Sequence, residues 1–331
     1  MSPTVSTESS GASGAPAAAD GSVCIFAPVT LLTLTLERSA DGSDELHVHP
    51  GGQGIWQARM VRTLGAGAVV CTAVGGETGE VVAALLPGEG IELHAVTIQA
   101  ANAAWIHDRR EGERQPLWES EPATLGRHEL DELYSRTLAD AMAAGVCLLA
   151  GSHEADHVLE PELYERLASD LSASGVRVVA DLSGAELEAA LRGGVDVLKL
   201  SDEELRRDGW ADGKSESAVL AGIERLHEAG AANVVLSRAE RGSLASVEGG
   251  RVLRVLAPAL EVADARGAGD SMTAALAVAA VRGDDWEEAL RLAAAAGAVN
   301  VTRHGSGSGR LDTIRELARR VEIEPLERSP A

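Results

Sequence analysis

Aromatic side chains are scarce in this sequence, making up 2% of its 331 residues. The core must therefore rest on Ala, Leu and Val, and a hydrophobic share of 45% is enough to build one large α/β domain or two ordinary ones. Cysteine is also rare. Cys24, Cys71 and Cys147 lie in separate apolar runs, a spacing that fits neither a zinc site nor a disulfide framework, so buried free thiols in a reducing compartment are expected. Long apolar runs are missing too. The longest, Val23 to Leu36, is interrupted by Pro28 and three threonines, too short to span a bilayer, and no Lys or Arg precedes it as in a signal peptide. A cytoplasmic protein is expected. Basic residues are in the minority, and the formal net charge of −22 argues against nucleic acid or an anionic membrane as a partner. A small anionic ligand needs only a local site and is not excluded.

Residues 1–21 are Ser, Ala, Gly, Thr and Pro with almost no large apolar side chain, which predicts a disordered tail. From residue 22 the pattern is that of a folded domain. Val23 to Leu36 reads as a strand broken at Pro28, and Glu45 to His49 as a short exposed strand with His47 and His49 on one solvated face. A helix is predicted from about Ile55 to Leu64, a buried strand over Ala68–Val74 and a helix over Glu77–Leu86. Strands over Ile91–Ile98 and Ala103–His107 follow, then a polar connection to a helix over Glu129–Ala144. Beyond it, strands at Val146–Ala150, Val176–Asp181, Val195–Leu200 and Asn233–Ser237 alternate with helices. A hairpin over Ser243–Leu256 and helices at Ser271–Arg282, Trp286–Arg303 and Leu311–Val321 close the chain. Such β-α alternation implies a parallel sheet covered by helices on both faces, with ligands outside the carboxyl ends of the strands. The segments at about 30–49 and 92–124 break the rhythm and read as a small β lid.

Chemistry is concentrated in Gly267-Ala268-Gly269-Asp270. Small residues let the backbone approach a ligand, and a helix N-terminus offers free N–H groups and a positive dipole end to an anion. Asp270 reads either as the helix N-cap or as a base beside that anion site. Gly209-Trp-Ala-Asp-Gly-Lys-Ser215 looks like a phosphate loop, but its first glycine would have to stand at Asp208 and it follows a charged helix rather than a buried strand. Gly305-Ser-Gly-Ser-Gly309 reads as a flexible connector.

Two glycine motifs at opposite ends of the chain carry a resemblance. Pro50-Gly-Gly-Gln-Gly-Ile-Trp-Gln-Ala-Arg59 and Asp264-Ala-Arg-Gly-Ala-Gly-Asp-Ser-Met272 together resemble the two signatures of the PfkB/ribokinase family of carbohydrate kinases. Gly-Ala-Gly-Asp-Ser-Met is most similar to the phosphofructokinase and tagatose-phosphate kinase branch. Gly151-Ser152, Asp181-Leu-Ser-Gly184, Lys199-Leu-Ser-Asp-Glu-Glu204 and Ser237 with Gly242 match further family motifs in order, between Val23 and Leu326. The resemblance implies a ribokinase-like three-layer α/β sandwich with a central mostly parallel sheet and a small β lid. It implies transfer of the γ-phosphate of ATP to a hydroxyl of a sugar or sugar phosphate. Asp270 would be the base, and the N–H groups of Gly267, Ala268 and Gly269 would hold the developing charge. Lys199, Ser237 and Gly242 would touch nucleotide phosphates, with Gly297 and Asn300 near the adenine. Gly51, Gly52, Gln53, Trp56 and Ser152 would face the acceptor, and Glu204 would act on Mg²⁺ through water. A homodimer through the lid is also implied.

Five positions depart from the family pattern. Leu31 and Trp56 stand where the family has Asp and Asn, and Ala100 falls where the branch has Arg. On the nucleotide side, Ser201 replaces Asn and Ala239 replaces Gly. Each polar group lost from the acceptor site removes a hydrogen bond of on the order of 1–3 kcal/mol. Two other readings remain: a kinase for a nucleoside or other small alcohol, and a catalytically silent member that binds a ligand or regulates.

Overall fold

The computed structural model describes residues 21–152, 158–302 and 307–326. The tail expected over 1–21 lies outside the described residues apart from Gly21, as do Gly305 and Ser306 of the connector. Fourteen strands and ten α-helices follow one another among the described residues. They are β1 (Ser22–Phe26), β2 (Leu31–Arg38), β3 (Asp44–Gly51), α1 (Gln53–Thr63), β4 (Gly67–Val74), α2 (Gly76–Leu85), β5 (Glu92–Thr97), β6 (Ala103–Asp108) and β7 (Gln115–Glu119). Next come α3 (Arg127–Ala144), β8 (Val146–Ala150), α4 (Glu162–Ala173), β9 (Arg177–Asp181), α5 (Gly184–Gly193), β10 (Val195–Ser201), α6 (Asp202–Arg207) and α7 (Glu216–Ala229). The chain closes with β11 (Ala231–Ser237), β12 (Ser243–Val247), β13 (Arg251–Leu256), α8 (Ala268–Arg282), α9 (Trp286–Asn300), α10 (Leu311–Ala318) and β14 (Glu322–Pro325).

A ten-stranded sheet runs in the order β14-β13-β12-β11-β10-β9-β8-β1-β4-β5. From β5 to β11 every neighbouring pair is parallel, and the last three strands are antiparallel. Alternate residues of each strand enter opposite layers. Val23 and Ile25 join the cluster under α1, α8, α9 and α10, while Cys24 and Phe26 join the one under α3, α4, α5 and α7. This is the three-layer α/β sandwich. The small side chains have a structural use: Ser271 to Ala279 of α8 are all buried, and small residues let this helix lie close against its neighbours. A Cβ on Gly297 of α9 would come within 2.8 Å of Met272 Cγ. The three cysteines are buried and free, with the Sγ atoms of Cys24 and Cys71 3.7 Å apart on neighbouring strands.

A second sheet has the order β3-β2-β6-β7. The run Val23–Leu36 is therefore two strands in two sheets, separated at Ala27–Thr30. The segment expected in the lid at 92–124 divides as well. Glu92–Thr97 pairs in parallel with β4 as an edge of the large sheet, and only residues from Ala103 on join the small one. The crossover through α2 allows that parallel pairing, and Val96, 1% exposed, packs into the large sheet's core. β7 lies inside the stretch read as a polar connection, and a bulge at Leu117 shifts its register against β6. β14 carries no apolar alternation and is held by its pairing with β13. The Gly209–Ser215 segment is the turn between α6 and α7, where Ser215 caps α7 by accepting from the Ala218 N–H. No helix among the described residues is long and apolar enough to cross a membrane.

Candidate active site

The order of strands reverses between β1 and β8, and a crevice at the carboxyl ends of such neighbours is where ligands bind in open α/β sheets. Two helix N-termini meet there. α1 begins at Gln53 with Gly52 as its N-cap, whose φ of 107° belongs to glycine and whose Cβ would lie 2.6 Å from Val29 O. α8 begins at Ala268 with Gly267, at φ 74°, as its N-cap. The helix thus starts three residues earlier than its Ala and Leu pattern predicts. Asp270 is consequently inside the first turn and not its cap, and the N–H groups of Ala268 and Gly269 belong to the free end of the helix.

Gln53 ties the start of α1 to the carboxyl ends of β8 and β9. Its Oε1 accepts from Gly151 N–H at 2.8 Å and its Nε2 donates to the carbonyl of Asp181 at 3.3 Å. Beneath lies a buried ionic pair. Lys199 Nζ stands 3.4 Å from Asp181 Oδ1, and the two side chains are 5% and 7% exposed. Asp181 Oδ2 accepts from Thr273 Oγ1 at 2.7 Å and from Gln57 Nε2 at 3.2 Å. A Cβ on Gly269 would overlap Lys199 Nζ, so glycine is what lets the ammonium sit under the first turn of α8.

Charge at this centre is set by burial first. Burial opposes the Lys199 cation, but the carboxylates of Asp181, Glu204 and Asp270 outweigh it and hold its pKa above the ordinary value. Burial together with the Asp181 charge pushes Asp270 up to about 7, against the pull of Lys199 and a hydrogen bond from Gln53. A carboxyl poised near neutrality can take and give a proton there. Glu204 is held below the usual range: burial works against it, and Lys199 and the Ser201 hydrogen bonds prevail. Its Oε2 accepts from Ser201 N–H and Oγ, both at 2.7 Å, while Ser201 Oγ accepts from Glu204 N–H at 3.1 Å and caps α6. No group of three His, Cys, Asp or Glu among the described residues is placed to hold a metal directly.

The other residues singled out in the sequence have the following local surroundings. Ser237 ends β11 in register with Ser201, and Gly242, at φ 74°, closes the following turn by accepting from Arg238 N–H at 2.8 Å. Ala239 in that turn takes φ 48°, the left-handed region. Gly297 packs against Ala268 and Met272. Asn300 is wholly buried and spends its amide on the loops, donating to Arg266 O at 2.6 Å and accepting from Gly307 N–H at 2.9 Å. Ser152 N–H donates to Glu186 Oε2 at 3.1 Å, while its buried Oγ has no partner among the described residues. Trp56 lies one turn into α1, and a Cβ on Gly307 would overlap its carbonyl. Leu31, 1% exposed, packs its Cδ1 against Gly51, and Ala100 is an exposed loop residue without charge. Three contributors escaped the sequence analysis: Asp181 as a charge partner, and Gln57 and Thr273 as its donors. The Asp181-Leu-Ser-Gly motif was the available signal.

Residues 27–314 match the pfkB family carbohydrate kinase domain. The chain belongs to the PfkB family. It is thus a carbohydrate kinase by family, a phosphotransferase with an alcohol group as acceptor. Among PfkB relatives, it is 29% identical over 284 residues to the ATP-dependent 6-phosphofructokinase isozyme 2 of Mycobacterium tuberculosis, covering 84% of this chain and 81% of the relative. Against the isozyme 2 of Escherichia coli it is 28% identical over 265 residues, covering 78% and 83%. The fold superposes on Escherichia coli phosphofructokinase-2 in complex with fructose-6-phosphate with a TM-score of 0.79 at 23% identity, covering 91% and 99% of the two chains. For Arabidopsis thaliana ribokinase complexed with ribose and ATP the TM-score is 0.69 at 20% identity, covering 90% and 99%. The PfkB architecture here is therefore the ribokinase-like one.

Proposed function

We propose that this chain transfers the γ-phosphate of ATP to a hydroxyl of a sugar phosphate, in the manner of the phosphofructokinases it is similar to. One observation carries the reading: Asp270, its pKa lifted to about 7, stands in the first turn of α8 beside free backbone N–H groups. Asp270 takes the proton of the acceptor hydroxyl as the new oxygen–phosphorus bond forms. The N–H groups that follow Gly267 receive the charge gathering on the transferred group, where the helix dipole also favours it. Lys199 balances Asp181 and Asp270 from below. The Ser237–Gly242 turn and Gly297 border the nucleotide side, and Gly51, Gly52, Gln53 and Ser152 the acceptor side. Glu204 would hold Mg²⁺ through water, and the ion would supply charge neutralisation at the nucleotide phosphates.

The small sheet supports a homodimer. Leu34, Leu36, Leu46, Val48, Ile106 and Trp118 share one of its faces, with Leu46 55% and Trp118 54% exposed, and an apolar face of this kind marks a contact surface. Sedimentation of the wild type and of Trp118→Glu tests it: a monomeric wild type would exclude the dimer.

ADP release over a panel of sugars, sugar phosphates and nucleosides, with Asp270→Ala as control, tests the kinase reading. Turnover of a sugar phosphate abolished by the substitution supports it. Leu31 packed into the acceptor side favours a second reading, a silent ligand-binding member, which predicts ATP binding without turnover of any acceptor.

A further inference from the structure

The two strands that carry the chain into the small sheet, β2 and β6, start side by side. They run parallel with Leu31 beside Ala103, and the residues just before them are Thr30 and Asn102. Asn102 joins both roots to the end of β4. Its Nδ2 donates to Thr30 O at 3.1 Å, to Thr30 Oγ1 at 3.0 Å and to Ala73 O at 3.0 Å, sharing two hydrogens among three acceptors. Its Oδ1 accepts from Gly75 N–H at 2.8 Å. The backbone is held as firmly: N–H donates to Gly75 O at 3.0 Å, and the carbonyl accepts from Thr78 Oγ1 at 2.6 Å. A carboxamide can do this because one short planar end supplies both donors and an acceptor.

Small residues are packed tightly around that end. A Cβ on Gly79 would overlap Asn102 Oδ1, and one on Gly75 would overlap the Ala100 carbonyl. The length of Asn is therefore fixed, and a longer amide does not fit the same place. On another side a cavity adjoins the clasp, bordered by Val29, Thr30, Ala101, Ala103 and Leu125. Thr30 has space to move there once the amide ceases to hold it.

Thr30 in turn meets the acceptor side. A Cβ on Gly52, the N-cap of α1, would lie 2.6 Å from Val29 O and 3.4 Å from Thr30 Cα. Gly51, one residue earlier, pairs with Leu31 across β3 and β2. The start of α1 and the strand that enters it thus rest on the segment that Asn102 pins. The nucleotide-side residues Ser237 and Gly242 end and follow β11, four strands from β1 in the large sheet.

We propose that Asn102 is a positioning residue for phosphoryl transfer, which sets Val29–Thr30 against Gly52 and so fixes the place where the acceptor hydroxyl is presented. It touches neither substrate. Its effect is carried by Thr30 and Gly52, and falls on the acceptor and not on the nucleotide.

This inference rests on the kinase reading, and its test separates the two. Steady-state kinetics with fructose 6-phosphate and ATP are compared in the wild type, Asn102→Ala, Asn102→Asp and Gly79→Ala. Asn102→Asp keeps the shape but turns a carboxylate on the Thr30 and Ala73 carbonyls, while Gly79→Ala displaces Oδ1 and leaves the amide in place. The expected result in all three is a rise of about ten-fold or more in KM for fructose 6-phosphate, with KM for ATP unchanged. Equal changes in both KM values, or a lower melting temperature with neither KM moved, would overturn the proposal. Absence of turnover in the wild type would sink the kinase reading alone. Amide hydrogen exchange then decides for the clasp. Faster exchange at residues 51–56 in Asn102→Ala and Gly79→Ala, with 237–242 as in the wild type, upholds it. Exchange unchanged at 51–56, or raised throughout the chain, removes it.

Discussion

Lys199 and Asp181 meet at the centre of the site, ammonium nitrogen 3.4 Å from Oδ1, under a helix turn that only a glycine at 269 leaves room for. The pair comes from the ends of neighbouring strands β10 and β9, and it controls the protonation of a third residue, Asp270.

Asp181→Asn removes a charge that raises the Asp270 pKa and leaves Lys199 to act on Asp270 alone. Both effects point the same way. Wild-type kcat is expected to rise through about pH 7 as Asp270 loses its proton. In the variant the acid limb moves to lower pH. A pH–rate profile checks this, and a limb that stays in place or moves upward would count against the assigned coupling.

Asp270 also links function to stability. Its folded pKa lies above the ordinary carboxylate value, so its stabilising contribution is present at low pH and lost as pH rises through about 7. Asp270→Asn is therefore expected to be inactive yet more stable at pH 8, by about 1–3 kcal/mol after allowance for partial exposure. Melting curves at pH 5 and pH 8 test the sign: the gain over wild type should shrink at the lower pH.

Gly269→Ala places a methyl where Lys199 Nζ stands. An ammonium on a flexible stem can swing aside, so the fold survives while the pair with Asp181 breaks. A large fall in kcat with a melting temperature within a few degrees of wild type is expected. A fully active variant would show that Lys199 need not occupy this position.

Ala239→Gly relieves a left-handed backbone, φ 48°, in the turn that Gly242 closes. The relief of about 1–2 kcal/mol outweighs the added freedom of the unfolded chain, leaving a net gain of about 0.5–1 kcal/mol. Thermal unfolding reads it directly, and a lower melting temperature would refute it.

Asn300→Ala leaves the Arg266 carbonyl and the Gly307 N–H without their partner in a fully buried position. Destabilisation of about 2–4 kcal/mol is expected, since each orphaned buried group costs about 1–3 kcal/mol. Denaturant titration measures it, and a change below about 0.5 kcal/mol would mean the loops are held otherwise.

Much of this protein could be read from its residues in order. Strands buried on both faces declare themselves as short apolar runs, and their alternation with helices leaves few topologies, so the parallel sheet was legible from Val146 onward. The glycines at 51, 52, 267 and 269 marked both helix N-termini, because only glycine tolerates those angles or that closeness. What sequence could not show were relationships across elements. Ile91–Ile98 is equally compatible with either sheet, and its pairing with β4 is settled by packing on the core. Helix propensity hid the start of α8, because Gly-Ala-Gly scores poorly whatever tertiary contacts do with it. The couplings of Lys199 with Asp181 and of Asn102 with Thr30 depend on distance and burial, and a linear order of residues contains neither. Local pattern thus determined the layers and the glycine loops, and tertiary structure alone decided which charges face one another and at what pH they change.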